Sequence, residues 1–315
     1  MNTAIVVGGT AGAGRAIVEK LLTYGYRVGV IARGEDRLDA LSEKALGLEV
    51  AQADVASMEA LRKATDDLVA RIGVPDVWIN VAMATMFARF EEMSAAEFER
   101  VMDVTFLGQV NATREALRHM QSGKIIFLGS SLAYRPVPLQ SACSGAKHAL
   151  NGFVGSLRSE LMREGSDVTL HLVQLPAINT PQFDWARSRL RRKPRPAAPV
   201  FSPDVPAEAV MKIIRTGARE LFVGRSVLRL VFGTLVLPAY LDRRMADEGL
   251  EAQKSDIQAS PQEGNLFDPV AYPPAADGSY GDEAEDHTVM VDADLARKLM
   301  FFGLPALAFL LGLLF

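Results

Sequence analysis

The chain has 315 residues, 49% of them apolar, enough to bury one large α/β domain or two smaller ones. Its net charge of -4 gives no clustered basic face, which sets DNA and RNA aside as partners. A single cysteine, Cys143, excludes an intramolecular disulfide, and four scattered histidines with neither CxxC nor HxxxH spacing give no readable metal site.

Ile5-Val6-Val7 is an apolar β-type run that breaks into a glycine turn, and Arg15 to Leu22 then reads as helix. The turn runs from Gly8 through Thr10, Gly12 and Ala13 to Gly14. Its spacing, Gly8-x3-Gly12-x-Gly14, is looser than G-x-G-x-x-G. Residues without Cβ let the backbone close tightly, and the following helix points free N–H groups at an anion, so the turn suits a dinucleotide pyrophosphate; a tight βα turn with no ligand is the alternative. A first strand starting near residue 3 leaves no room for a cleavable signal peptide and predicts that the first two hundred-odd residues stay in the cytoplasm.

Tyr26 to Ala32 is a second strand and Glu35 to Leu46 a helix. An acid about 20 residues past the glycines suits the ribose 2′-OH of NAD, whereas an arginine suits the 2′-phosphate of NADP. Here Arg33 ends the strand and Arg15 follows the last glycine, which predicts NADP(H). Strand three, Leu48 to Ala53, ends at Asp54-Val55, where an aspartate either accepts from an adenine amino group or simply closes the turn. Ser57 to Ile72 is a helix with Ser57 as N-cap, and Asp76 to Ala82, containing Asn80, is strand four. The alternation predicts a doubly wound, mostly parallel α/β sheet of the Rossmann type, with its ligand at the carboxyl ends of the strands. Ala95 to Met120 reads as one long helix and Lys124 to Leu128 as strand five, ending in Gly129-Ser130-Ser131. Cys143 follows Ser130 by thirteen residues and precedes Lys147 by four, one helical turn on the same face.

At these residues the chain resembles the short-chain dehydrogenase/reductase family over roughly residues 3 to 225. The resemblance implies Gly8, Gly12 and Gly14 as the cofactor turn, Asp54 at the adenine position, Asn80 after strand four, Ser130 as catalytic serine and Lys147 as catalytic lysine. It also implies Pro176 and Thr180 near the nicotinamide, a small-molecule substrate and a homo-oligomer. Val7 departs from the usual threonine, and Thr105 stands where many members carry a relay asparagine. The third departure touches the chemistry: the position of the catalytic tyrosine, four before Lys147, is Cys143. A thiol is shorter than a phenol, and beside a lysine ammonium its pKa is expected to fall, leaving a thiolate with no proton to give. Three outcomes stay open: a weakened reductase, a substitute donor such as Tyr134 or a Ser130-held water, or a cofactor binder without redox chemistry.

Gln182 to Pro206 carries Phe183, Trp185 and a basic run, Arg187 to Arg195, and resembles the family's substrate loop. The run is either a solvated face or a contact for anionic lipid. Met83, Met86, Phe87, Phe183 and Trp185 point to an apolar, lipid-like substrate. Pro206 to Thr216 is a helix, Leu221-Phe222-Val223 a seventh strand, and residues 226–250 a helical extension. Residues 251–294 hold eleven acids against one lysine and read as a flexible acidic linker. Leu299 to Phe315 is seventeen uncharged residues, expected to form an apolar helix anchoring residues 295–315 to a membrane. At about 1.5 Å per residue it reaches about 25 Å, the lower limit for a span, with a helix packed in a dimer interface as the alternative.

Overall fold

The structure is a computed structural model and describes residues 2–43, 47–303, 305–306 and 309. In chain order its main elements are β1 (Thr3–Val7), α1 (Gly12–Thr23), β2 (Arg27–Ala32), α2 (Glu35–Ser42), β3 (Leu48–Gln52), α3 (Met58–Ile72) and β4 (Val77–Asn80). Then come α4 (Ala95–Met102), a π-helical turn (Asp103–Leu107), α5 (Gly108–His119), β5 (Ser122–Ser130), α6 (Ser141–Glu164) and β6 (Asp167–Leu175). The chain continues with α7 (Asp204–Thr216), β7 (Glu220–Val223), α8 (Arg225–Val236), α9 (Pro238–Arg244), β8 (Met290–Asp292) and α10 (Ala293–Lys298).

The strands form one sheet in the order β8-β7-β6-β5-β4-β1-β2-β3, parallel except for β8, which pairs antiparallel with β7. Side chains of a strand alternate between faces, and β1 shows the result. Ala4 and Val6 join α1, α2 and α7 in one core, while Ile5 and Val7 join α3, α4, α5 and α6 in the other. Chain order turns back between β1 and β4, which places the mouth of the crevice at the carboxyl ends of these strands, beside the glycine turn.

The long helix expected over Ala95 to Met120 is interrupted by the π-helical turn. There the Thr105 hydroxyl donates to the Ala84 carbonyl (2.7 Å) and accepts from the Ala84 amide (3.0 Å), pinning the loop after β4 to this turn. Local propensity carries no trace of such a side-chain tie.

Residues 251–294 correct the expectation of a flexible linker. Lys254–Gln258 pairs with Arg192–Pro194, Ala284–Glu285 pairs with Val200–Phe201, and Met290–Asp292 completes the main sheet. Leu266 and Tyr280 are buried. The acidic segment builds no core of its own, but its charges answer the basic run: Glu263 meets Arg187 and Arg189, Glu251 and Asp256 meet Arg192, and Glu283 meets Arg195. That pairing, rather than lipid headgroups or bulk solvent, accounts for much of the run from Arg187 to Arg195.

Glu97 anchors the same region. It accepts from the Ser94 amide (2.7 Å), Arg189 (2.7 Å) and Arg187. Burial opposes its charge, but the Ser94 and Arg187 hydrogen bonds win and hold its carboxyl at about 2, below the ordinary 4.5. Burial holds His171, whose Nδ1 faces the Ala218 carbonyl (2.8 Å), at about 4, below 6.5. Both folded values are depressed, so both groups contribute stability above their unfolded values. As pH falls, His171 withdraws its share between about 6.5 and 4 and Glu97 between about 4.5 and 2. Urea midpoints are therefore expected to fall steadily below pH 6.5, and Glu97→Gln to lower the pH 7 midpoint by roughly 1.5–3 kcal/mol of stability while flattening the acid limb. An equal acid limb in wild type and variant would contradict the assignment to Glu97.

Candidate active site

The glycine turn is shaped by contacts that exclude a side chain. Gly8 has φ +95°, and a Cβ there would lie 2.6 Å from the Ala82 amide nitrogen. A Cβ on Gly14 would overlap the carbonyl oxygen of Gly8. α1 starts at Gly12 behind Ala11, with no capping side chain and no acid in its first turn, and the Gly12 amide is met by a backbone carbonyl, that of Ala275 (3.1 Å). An N-terminus without a side-chain cap is a fit for a pyrophosphate by the usual physics of helix N-termini.

One cavity of about 640 Å³ runs from this turn across the strand ends. Its wall includes Gly8, Thr10, Gly12, Ala13 and Gly14 at the turn, Arg33, Arg37 and Val55 at one end, and Pro176 and Thr180 at the other. Ser130, Cys143 and Lys147 stand along the same cavity, with Met83, Leu132, Phe183, Leu230, Leu241 and Met245 supplying apolar surface. Met86 and Phe87 are buried in the core instead.

Ser130 is the last residue of β5, and its Oγ accepts from the Leu132 amide (3.1 Å), which leaves the hydroxyl proton free to point into the cavity. Lys147 is buried on α6 and donates one Nζ proton to the Leu128 carbonyl at 2.7 Å. Burial lowers its pKa, partly offset by Cys143. The thiol behaves opposite to the sequence-based expectation. Burial pushes the Cys143 thiol up, further than Lys147 and the Thr85 hydrogen bond pull it down, so it keeps its proton. Desolvation is set by the fold around the pair and outweighs the neighbouring charge.

Four expected groups sit elsewhere. The Asn80 side chain accepts from Trp78 (2.9 Å) and donates to Thr113 (3.3 Å), so it ties β4 to α5 and is absent from the cavity wall. Asp54 is held by Arg100, with Arg33 3.7 Å away and the Ala56 amide at 2.9 Å. Burial would raise its carboxyl, but these partners outweigh it and keep it below the usual range, and its oxygens face cations rather than the cavity. Arg15 is buried with its Nε on Glu19 (2.9 Å), while Nη1 and Nη2 have no partner among the described residues, and it too lies off the cavity wall. Tyr134 donates to Glu220 (2.6 Å) and accepts from Arg297 (3.0 Å); burial and the Glu220 charge drive its pKa far upward, which removes it as a substitute proton donor.

Sequence reasoning missed Arg37. It lines the cavity from the first turn of α2, stacks over Trp185 at 5.0 Å and has no partner for Nε among the described residues. Its place in the first turn of α2, close behind Arg33 and the carboxyl end of β2, was the available signal. Gln253, from the extension, also reaches the site: it accepts from Gln140 (2.7 Å), whose other amide atom accepts from Thr85 at 3.4 Å. Outside this cavity, Asp66, Glu115 and His119 converge on α3 and α5, but the Arg118 guanidinium already bridges the two carboxylates.

A doubly wound sheet with a glycine turn at its switch point, and a serine and a buried lysine beside it, is the frame of the nicotinamide-dependent oxidoreductases. The chain belongs to the short-chain dehydrogenase family: the profile described as "short chain dehydrogenase" matches residues 2–190. It is similar to the uncharacterized oxidoreductase YxnA of Bacillus subtilis, 26% identical over 82% of this chain and 75% of that one. Among solved structures, a short-chain dehydrogenase from Streptomyces avermitilis is 25% identical with a TM-score of 0.66, covering 79% of this chain and 99% of that one. An actinorhodin polyketide ketoreductase, solved with NADPH, shares the fold at 24% identity and a TM-score of 0.61, covering 69% of this chain and 92% of that one.

Proposed function

We propose that the protein is an NADP(H)-dependent oxidoreductase interconverting a secondary alcohol and a ketone on an apolar, lipid-like substrate. The observation that carries this reading is the single cavity joining the glycine turn, the Ser130–Lys147 pair and an apolar wall. Arg33 and Arg37 at its adenosine end favour a 2′-phosphate over a bare ribose. The amides of the glycine turn hold the pyrophosphate, and the two Lys147 protons not engaged by Leu128 are available to ribose hydroxyls. When bound, the cofactor supplies or accepts the hydride. Ser130 hydrogen-bonds through its free hydroxyl proton to the substrate oxygen, polarising it; a water held beside Ser130 supplies the proton that completes the alcohol and becomes hydroxide that returns to solvent, while the apolar wall excludes bulk water.

Cys143 supports a second reading, a cofactor-binding protein with little turnover. A buried neutral thiol is a weak hydrogen-bond donor, and its Sγ ends several ångströms short of where a tyrosine hydroxyl would lie. The deciding experiment follows NADPH consumption by purified protein over a panel of long-chain and polycyclic ketones. Turnover of any of them supports the reductase; saturable NADPH binding with no consumption across the panel supports the binder.

We further propose that the C-terminal segment associates with a membrane. Leu299, Phe301 and Phe302 are exposed, and Phe301 lies against Phe232 (6.4 Å) near the exposed Leu235, Val236, Leu237 and Tyr240. Residues 304, 307–308 and 310–315 of this segment lie outside the described residues, as does Leu46 at the expected end of the second helix. No helix among the described residues is long and apolar enough to cross a membrane. Arg297, just before the segment, is bonded to Glu220 (2.7 Å), so the segment leaves the domain from a docked helix. Full-length protein is expected in the membrane fraction, and a chain ending at Lys298 in the soluble one. Full-length protein that stays soluble without detergent would contradict the anchor.

A further inference from the structure

The acidic extension crosses the cofactor crevice from end to end. It enters at Gln262, which exchanges two backbone hydrogen bonds with Ser188 (2.9 Å each). Gly264, at φ +57°, lies so close to the backbone of Trp185 to Arg187 that no Cβ fits. Over the adenosine end the strap presents carbonyls to the two arginines that face a 2′-phosphate. Arg33 donates to Asn265 (2.8 Å) and Phe267 (3.0 Å), and Arg37 to Val270 (2.7 Å). Leu266 is fully buried beside Ala53 and Val55, and its carbonyl accepts from Arg100 at 3.1 Å.

Further along, the Ala275 carbonyl accepts from the Gly12 amide (3.1 Å), an amide of the pyrophosphate turn. Gly278 then sits against the Thr180 carbonyl with no room for a Cβ, and the Tyr280 amide donates to the Asn179 side chain at 3.0 Å. The strap is thus attached at the adenosine end, at the glycine turn and at the nicotinamide end. Beneath it the cavity stays open, since Asn265 and Pro269 form part of its wall together with Ile31, Gly34 and Val55.

We infer that residues 262–280 are a working part of the cofactor site: the strap lifts to admit the dinucleotide and shuts over it, with Asn265 and Pro269 against the adenosine. This rests on the cofactor reading above. A bulky, multiply charged dinucleotide lying along the crevice takes the space beneath the strap's three attachments, so its entry requires that these contacts break. They are suited to breaking, because hydrogen bonds from guanidinium to backbone carbonyl exchange readily with water, and Leu266 is the main apolar anchor of the adenosine end. An arginine carries five N–H donors, and Arg37 spends one on the strap, so closure leaves Arg37 able to meet the phosphate while Arg33 holds the strap through both Nη groups. The device also explains why the acidic segment is packed at all: its ion pairs to Arg187, Arg189 and Arg195 hold the two ends while the middle opens.

The test is stopped-flow fluorescence of NADPH binding to full-length wild type and Leu266→Asp, with hydrogen exchange of the wild-type strap amides as a second readout that needs no variant. Association and dissociation rates are each expected to rise at least tenfold in Leu266→Asp. Saturating NADPH is expected to slow exchange of the Asn265 and Tyr280 amides in wild type at least tenfold. Rates within twofold of wild type together with exchange indifferent to NADPH would overturn the strap's role while leaving cofactor binding intact. A faster association with unchanged dissociation would also overturn it, marking the segment as a plug rather than a cover. Absence of NADPH binding to either form would overturn the cofactor reading itself.

Discussion

Cys143→Tyr is expected to raise kcat for ketone reduction by about 10² to 10⁴, the usual contribution of a placed general acid. The phenol restores reach and supplies an O–H, a stronger hydrogen-bond donor than S–H, at the substrate oxygen. It extends from the same α6 backbone into the cavity that Cys143 already lines, next to Ser130, and Lys147 one turn away favours its ionised form. The native thiol is limited for a different reason from the one a neighbouring lysine suggests. It has a proton, but burial holds that proton tightly and its side chain is short. The rise is read as loss of NADPH absorbance with the best ketone of the panel. A wild type that is already fast, and slows when given the tyrosine, would make Cys143 a functional residue and remove the impaired-reductase account.

Lys147→Met separates stability from function. The ammonium is buried with one carbonyl acceptor, and burying a charge costs more than one such bond returns. Methionine keeps the apolar stem and fills the space without that cost. Tm is therefore expected to rise, while NADPH affinity falls about tenfold to a hundredfold through loss of the charge-assisted bonds to the ribose. Thermal melts with and without NADPH read both effects at once: the variant starts higher and gains less from the cofactor. A lower Tm with unchanged NADPH affinity would make Lys147 a structural residue.

The central sheet was legible because each of its signals is local. A β-type run, a glycine turn and a helix follow one another in sequence, and Ser130, Lys147, Pro176 and Thr180, which the resemblance implied, all line the cavity. What failed depended on partners remote in sequence. Asn80 was assigned to the site, but Thr113 claims it, and Asp54 is claimed by Arg100. The strap was invisible for the same reason. A segment with eleven acids has too little apolar surface to fold alone, and only the basic run some seventy residues upstream makes its packing favourable. The sign of the Cys143 shift needed the burial of α6, which no spacing carries.

The most direct measurement is a paired titration of the full-length protein with NADPH and NADH, followed by quenching of tryptophan emission. Trp185 lines the cavity and stacks against Arg37, so its emission reports on cofactor bound there. The account predicts one saturable site per chain, with NADPH about tenfold to a hundredfold tighter than NADH, and loss of that preference in Arg37→Ala. Equal affinity for the two cofactors would contradict the assignment to Arg33 and Arg37, and absence of saturable binding by either would contradict the account as a whole.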